Sequence, residues 1–282
     1  MAHLDLDDAR IYYETHGEGG SPVLLIMGFA VPSTLWAAQV PALSERHRVV
    51  TFDNRGAGKS EAPVGLYTMR GFAEDAIRLL DHLGLERAHV TGVSMGGMIA
   101  QELALRHRDR VRSLCLVATH AGGLRSAVPP LRGLSLFARS HLGDRRDRIR
   151  HLRRLLYTDS FLASQDGPRL ERDLREALGE TPPGGHRAAQ LGAILRHRTG
   201  TRLGALAGLP TLIVKPADDI LVAPRHSDRL HRLIPGSRLL EIADAGHGVL
   251  GQHAERLNEA LLTHYARADR AQADAGSETA AA

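Results

Sequence analysis

The chain has 282 residues, of which 43% are hydrophobic, 24% charged and 4% aromatic. That balance fits a soluble globular protein and excludes wholesale disorder, collagen and coiled coil, and it leaves Leu, Val, Ile and Ala to build the core. The net charge of +4 is unevenly spread: residues 121–205 hold 16 arginines against 8 acidic residues, a net +8, and the rest of the chain carries a net −4.

In chain order, residues 3–8 and 11–16 read as a strand pair. Residues 23–27 (VLLIM) are an unbroken apolar run, as a strand buried on both faces requires. A helix is expected at 34–46, then a strand at 48–52 (RVVTF). The stretch 68–83 predicts an amphipathic helix with Phe72, Ala76, Leu79 and Leu80 on one face. Residues 89–93 read as a strand, 95–107 as a helix opening directly from it, and 112–118 (RSLCLVA) as another buried strand. Across 121–205 there are helical patterns and no clear strand. The alternation resumes with a strand at 210–214 (PTLIV), a helix near 224–234, a strand at 237–242 and a helix at 252–265. Residues 266–282, rich in Ala, Asp, Gly, Ser and Thr, read as a flexible tail.

This rhythm predicts the α/β class, a mostly parallel sheet with flanking helices. The body comprises residues 1–120 and 206–265, and a helical cap at 121–205 interrupts it. Such an insertion belongs over the carboxyl edge of the sheet, where open α/β sheets bind ligands. The amino-terminal stretch carries Asp5, Asp7 and Asp8 instead of a basic segment and an apolar core, unlike a secretory signal. The longest apolar run, near 23–32, is too short to span a bilayer, so a cytoplasmic location is expected. Cys115 is the single cysteine, which excludes an intramolecular disulfide and a multi-cysteine zinc site. Inside an apolar strand it reads as a packed thiol.

The sharpest local signal is Gly92-Val93-Ser94-Met95-Gly96-Gly97. It matches G-x-S-x-G directly after a strand and directly before a helix. A serine in that strained turn brings the residues two before and two after it together, so only small side chains fit at Gly92 and Gly96. The turn lifts the hydroxyl above the sheet and leaves N–H groups of the helix amino end free for an oxyanion. A serine nucleophile needs a base, and the base an orienting acid. The order Ser, acid, His is met by Asp218-Asp219 after the strand PTLIV and by Gly246-His247-Gly248 after the strand ending IADA. Asp219 is preferred to Asp218 because it stands three residues before Val222 in a D-x-x-V pattern. His107, His141, His151, His186 and His197 sit among arginines and read as solvated. The loop after VLLIM offers Phe29 N–H as an oxyanion donor, paired with Met95 N–H. Residues 53–60 (DNRGAGKS) lack the first glycine of a phosphate loop. They read as a structural turn in which Asp53 and Arg55 bond backbone groups.

With these residues assembled, the chain resembles the α/β-hydrolase fold superfamily, over about residues 2–265. Within it the chain is most similar to 3-oxoadipate enol-lactonase-like hydrolases and non-haem haloperoxidase-like esterases. The segments that carry the resemblance are LLIMGFA, FDNRGAGKSEAP, VTGVSMGGMIAQELALRHRDRVRSLCLVAT, PADDILV and DAGHG. The resemblance implies an eight-stranded sheet with strand two antiparallel and a helical cap between strands six and seven. It departs at Met27, where relatives usually carry His, and at Lys215-Pro216 before the acid. A lysine there either reaches the rim of the cleft or touches the site.

The expected function is therefore hydrolysis of a small-molecule carboxylic ester or lactone, with Ser94 as nucleophile, His247 as base and Asp219 as its partner. No cofactor and no metal is implied. Thioester cleavage, a cofactor-free lyase or cyclase reaction, and non-catalytic binding of a small molecule remain open on the same scaffold. The arginine-rich segment either reflects a solvated surface or draws an anionic substrate or an acidic carrier protein toward Ser94. No motif or aromatic platform accompanies it to suggest nucleic acid, and the oligomeric state is not legible.

Overall fold

A computed structural model describes residues 2–179 and 182–281. The body opens with β1 (Ala2–Asp5), β2 (Arg10–His16) and β3 (Pro22–Ile26). It continues through α1 (Val40–Ser44), β4 (Arg48–Phe52), α2 (Met69–His82), β5 (Ala88–Val93), α3 (Met95–Arg106) and β6 (Val111–Val117). Six helices follow: α4 (Leu124–Ala127), α5 (Leu131–Arg139), α6 (Arg145–Leu156), α7 (Asp159–Ser164), α8 (Gly167–Leu178) and α9 (Gly184–Arg196). The body then resumes with β7 (Thr211–Pro216), α10 (Arg225–Leu233), β8 (Arg238–Ile242), α11 (Val249–Gln252) and α12 (Ala254–Ala281).

The eight strands form one sheet in the order β1-β2-β4-β3-β5-β6-β7-β8. Only β2 runs against its neighbours, and every pair from β4 to β8 is parallel. Helices on both faces bury the central strands, which is why β3, β5 and β6 read as apolar runs and not as alternation. One face packs under α2 and α3, with Phe72, Ala76, Leu79 and Leu80 all buried as the helical spacing predicts. The other packs under α12, whose Leu257, Leu261 and Tyr265 join Trp36 and Leu43. Cys115 lies in the buried centre of β6.

Two expectations change. The helix expected at 34–46 is a 3-10 turn (Ser33–Trp36) followed by α1, because Pro41 sits in the first turn of α1 and cannot continue a helix from before it. The tail expected from residue 266 onward is helical to Ala281. Alanine favours the helix, and Asp269 anchors it: it accepts from the Ser21 hydroxyl at 2.6 Å and lies 3.1 Å from His89 Nε2. Gln272 Nε2 adds a bond to the Arg112 carbonyl at 2.9 Å.

Buried histidines give the fold a pH dependence. Burial pulls His89, His197 and His264 down to about 4, and pulls His120 down to about 3, from an ordinary value of 6.5. The unfolded chain therefore binds more protons than the folded one below pH 6.5. Stability is fully present above that value and is lost as pH falls toward 4. The melting temperature should drop steadily between pH 6.5 and pH 4, and His197→Gln should flatten the drop. A profile that stays level across that window in wild-type protein would contradict the assignment.

Candidate active site

The turn from β5 into α3 is closed by backbone contact. A Cβ on Gly92 would stand 2.2 Å from the Gly96 carbonyl oxygen, and one on Gly96 would stand 2.1 Å from that of Ile26. Ser94, between them, has φ 55° and ψ −119°. Left-handed backbone at a non-glycine residue costs of order 1–3 kcal/mol and persists only where its surroundings hold it. Here Ser94 N–H donates to Val117 O at 2.9 Å, and Thr119 Oγ1 donates to Ser94 O at 2.6 Å. Ser94 is the one partly open residue in the otherwise buried run 88–104. The structure thus places its side chain at the carboxyl end of β5, as the glycine spacing predicts.

Asp219 and His247 lie beyond the carboxyl ends of β7 and β8. His247 Nδ1 is 2.7 Å from Asp219 Oδ2. A carboxylate only accepts, so Nδ1 carries the proton and Nε2 is left with its lone pair. The other oxygen of Asp219 accepts from Leu221 N–H and Val222 N–H, each at 2.8 Å. That turn is the physical content of the D-x-x-V pattern. Asp219 is 3% exposed, whereas Asp218 is exposed and serves through its backbone N–H, bonded to Ala245 O. Among the described residues no hydrogen bond joins Ser94 Oγ to His247.

The glycines beside His247 answer to the inserted helices. A Cβ on Gly246 would stand 2.4 Å from the Leu156 carbonyl oxygen at the end of α6, and one on Gly248 would stand 2.8 Å from the Tyr157 ring. Gly248 N–H donates to that same Leu156 oxygen at 2.7 Å. Gln252 Nε2 donates to Thr158 Oγ1 at 2.8 Å, and Ser160 bonds Asp244. The loop carrying His247 is therefore bolted to the α6–α7 junction.

Met95 opens α3, in the turn where helical N–H groups lack partners inside the helix. The loop bearing Phe29 lies against Ser94: a Cβ on Gly28 would be 3.3 Å from the serine Cβ. Asn54 Nδ2 holds this loop by its Met27 carbonyl at 2.9 Å. Gln190 of α9 accepts from Ala30 N–H at 2.7 Å and donates to Arg55 O at 3.1 Å. The Phe29 ring meets Phe137 and His141 of the inserted segment at 5.9 and 6.0 Å. Gln190 and Leu156 were not foreseen, because nothing in a helical polar residue or a main-chain carbonyl marks a long-range contact.

The remaining candidates fall outside this cluster. The 53–60 loop is structural. Asp53 accepts from Ser33 N–H at 2.6 Å and Lys59 N–H at 2.7 Å, as expected. Arg55 bonds carboxylates, Asp75 at 2.7 Å and Asp8 at 3.0 Å, and not the backbone groups expected of it. Lys215 is held by Asp228 and Glu241, each at 2.9 Å. His197 is buried against Thr199 and not solvated. Among the described residues one trio has ligand atoms close enough for a metal, His47, His89 and Asp269, all within 4.8 Å. It lies at the amino edge of the sheet, the edge opposite Ser94, and the Ser21 hydroxyl already bonds all three. Among the described residues no helix is long and apolar enough to cross a membrane.

This geometry, with the sheet order, settles the family. The sequence profile of the alpha/beta hydrolase fold matches residues 21–254. The chain belongs to the α/β-hydrolase fold family. A relative from Azorhizobium caulinodans, named as a candidate carbamate hydrolase, RutD, is 31% identical over 93% of this chain and 97% of its own length. The enol-lactonase from Burkholderia xenovorans LB400 superposes with a TM-score of 0.81 at 25% identity, covering 93% of this chain and 99% of that one. The bromoperoxidase from Bacillus anthracis superposes with a TM-score of 0.79 at 27% identity, covering 91% and 95%. The resemblance seen in the sequence motifs is thus borne out at the level of the family.

The glycine contacts give a direct test. Gly96→Ala forces a methyl group into the Ile26 carbonyl, and neither backbone can yield. The cost should exceed ~3 kcal/mol, lowering the melting temperature by roughly 10 °C. Gly19→Ala, where a Cβ meets nothing within 4 Å, should melt like wild type. Equal melting of the two variants would mean that the close approach is not required.

Proposed function

We propose that the chain is a serine hydrolase of small-molecule carboxylic esters or lactones, with Ser94, His247 and Asp219 as its triad. The observation that carries this reading is the strained serine at the strand-to-helix turn, φ 55°, on the same sheet edge as a buried His–Asp pair. Ser94 Oγ attacks the substrate carbonyl while its proton passes to His247 Nε2. The oxyanion forms between Phe29 N–H and Met95 N–H. As the intermediate collapses, the carbon–oxygen bond to the leaving alkoxide breaks and His247 returns the proton to it. Water, deprotonated by the same imidazole, then cleaves the acyl-enzyme and frees the acid. Asp219 fixes the tautomer and stabilises the imidazolium. The helices from 121 to 205 act as a cap, with Phe29, Phe137 and His141 forming an aromatic wall of the acyl pocket. Their arginines favour an anionic substrate. A cytoplasmic site of action belongs to the same reading.

A carbamate is the second substrate reading, supported by the relatives named for that activity. The same attack on a carbonyl serves it. A screen of p-nitrophenyl esters by chain length, γ- and δ-lactones and simple carbamates separates the two by relative kcat/KM.

Ser94→Ala should abolish turnover and labelling by a fluorophosphonate probe while melting like wild type. Asp219→Asn should lower kcat by on the order of 10³–10⁴, because the imidazole loses its tautomer and its charge partner. Asp218→Asn, exposed and bonded only through its backbone, should stay within about threefold of wild type. Steady-state rates with the best ester decide it: the reverse ranking of the two aspartates moves the acid to Asp218, and an active Ser94→Ala protein removes the nucleophile.

A further inference from the structure

We propose that the cavity between α6 and α8 binds a phosphoryl-bearing anion, a small molecule with a phosphomonoester or pyrophosphate group. The cavity has a volume of about 500 Å³ and is lined by Arg146, Arg150, Arg153 and Arg175, with Glu171 and Gly167. The three α6 arginines are spaced four and three residues apart, which puts them on one helical face. Arg175 reaches in from the facing helix. Four of the 16 arginines of the inserted segment therefore meet at one place.

The charge balance selects the ligand class. Arg153 Nε lies 3.3 Å from Glu171 Oε1, and Arg150 Nη1 lies 2.9 Å from Asp147 Oδ1. No ion pair to Arg146 or Arg175 is formed among the described residues. Four guanidinium groups against Glu171 leave +3 among the lining residues, and Asp147 and Asp144, which act on Arg150 and Arg146 from outside the lining, bring the wider cluster to +1. Like charges gathered this closely repel, and a multiply charged anion relieves that repulsion where a monocarboxylate leaves charge over. Guanidinium forks also match the oxygen geometry of phosphate. The Arg153 guanidinium comes close to the start of α8, where a Cβ on Gly167 would stand 3.2 Å from Nη1. The volume falls in the range of small-molecule pockets and exceeds what a bare phosphate fills, so an organic remainder is accommodated. No aromatic side chain lines the cavity, which removes the stacking platform of a single-stranded nucleic acid site.

The test is calorimetric titration of the whole protein with inorganic pyrophosphate, inorganic phosphate, glycerol phosphate and acetate, at ionic strength fixed by sodium chloride. Pyrophosphate should bind saturably, at least tenfold more weakly to an Arg150→Gln/Arg175→Gln protein and with unchanged affinity to Ser94→Ala, so the result stands apart from the hydrolase reading. Glycerol phosphate should bind at least as tightly as inorganic phosphate, and acetate more weakly than either. Phenylglyoxal modification with peptide mapping gives a readout on unmodified sequence: pyrophosphate should protect Arg150 and Arg175 selectively. No saturable binding, equal binding to the double variant, acetate matching phosphate, a weaker organic ester, or protection spread evenly over all arginines would each overturn the proposal.

Discussion

The backbone of α3 starts so close to β3 that a methyl group on Gly96 would stand 2.1 Å from the Ile26 carbonyl oxygen. Gly92 is pressed against Gly96 in the same way, and a Cβ on Gly97 would meet Thr119 at 2.5 Å. Three glycines in six residues therefore let one helix begin directly on top of three parallel strands. That contact leaves Ser94 no backbone conformation but the left-handed one it has. The cost of the strain is offset by the strands beneath, whose Ile26, Val90, Leu114 and Leu116 are fully buried. Burying one such side chain contributes ~1.5–3 kcal/mol, so two or three of them outweigh the turn. The sheet thus supports a strained residue that no isolated loop of this sequence would keep.

His247 is held by a different logic. Its partner Asp219 is rigid because two backbone N–H groups fix its second oxygen. The loop of His247 is fixed from the side of the inserted helices, through Leu156 and Thr158. Gly246 and Gly248 are small for that reason, and not because the histidine needs freedom. His247 is consequently held by two parts of the chain, Asp219 and the segment at 156–158, that are about 60 residues apart in sequence. A change in how α6 ends is transmitted to the imidazole through one carbonyl oxygen.

These distances explain what the sequence reveals and what it conceals. The strands are legible because burial on both faces leaves an unmistakable apolar run, as in VLLIM and RSLCLVA. The serine turn is legible because glycine is the only residue its contacts admit. Asp219 is separable from Asp218 because its turn requires an acceptor three residues before Val222. Gln190 is not legible: its two bonds join α9 to the loops after β3 and β4, and no local pattern encodes a partner 160 residues away. The end of α12 is misread for a similar reason. Its composition suggests a frayed tail, but Asp269 meets Ser21 and His89 across the bottom of the sheet. Arg55 follows the same rule, since its carboxylate partners Asp8 and Asp75 lie far from it in sequence.

The division between body and insertion also explains why the candidate site is easier to read here than what surrounds it. The body shapes the serine turn from main-chain contacts and glycines, which leave strict marks in a sequence. The inserted helices touch it through polar contacts, among them Gln190 on the loop after β3, Leu156 and Thr158 on the His247 loop and Arg196 on Tyr67 O, and through apolar ones, with Ala193 in the main core cluster and Phe137 against Phe29. Such contacts fix where the helices attach, and no strict local pattern marks them in the sequence. Phe137 and His141 beside Phe29, and the arginines between α6 and α8, are likewise helical side chains that no turn or glycine marks. The side chains that the insertion brings beside Phe29 then obey no spacing rule stricter than helical periodicity.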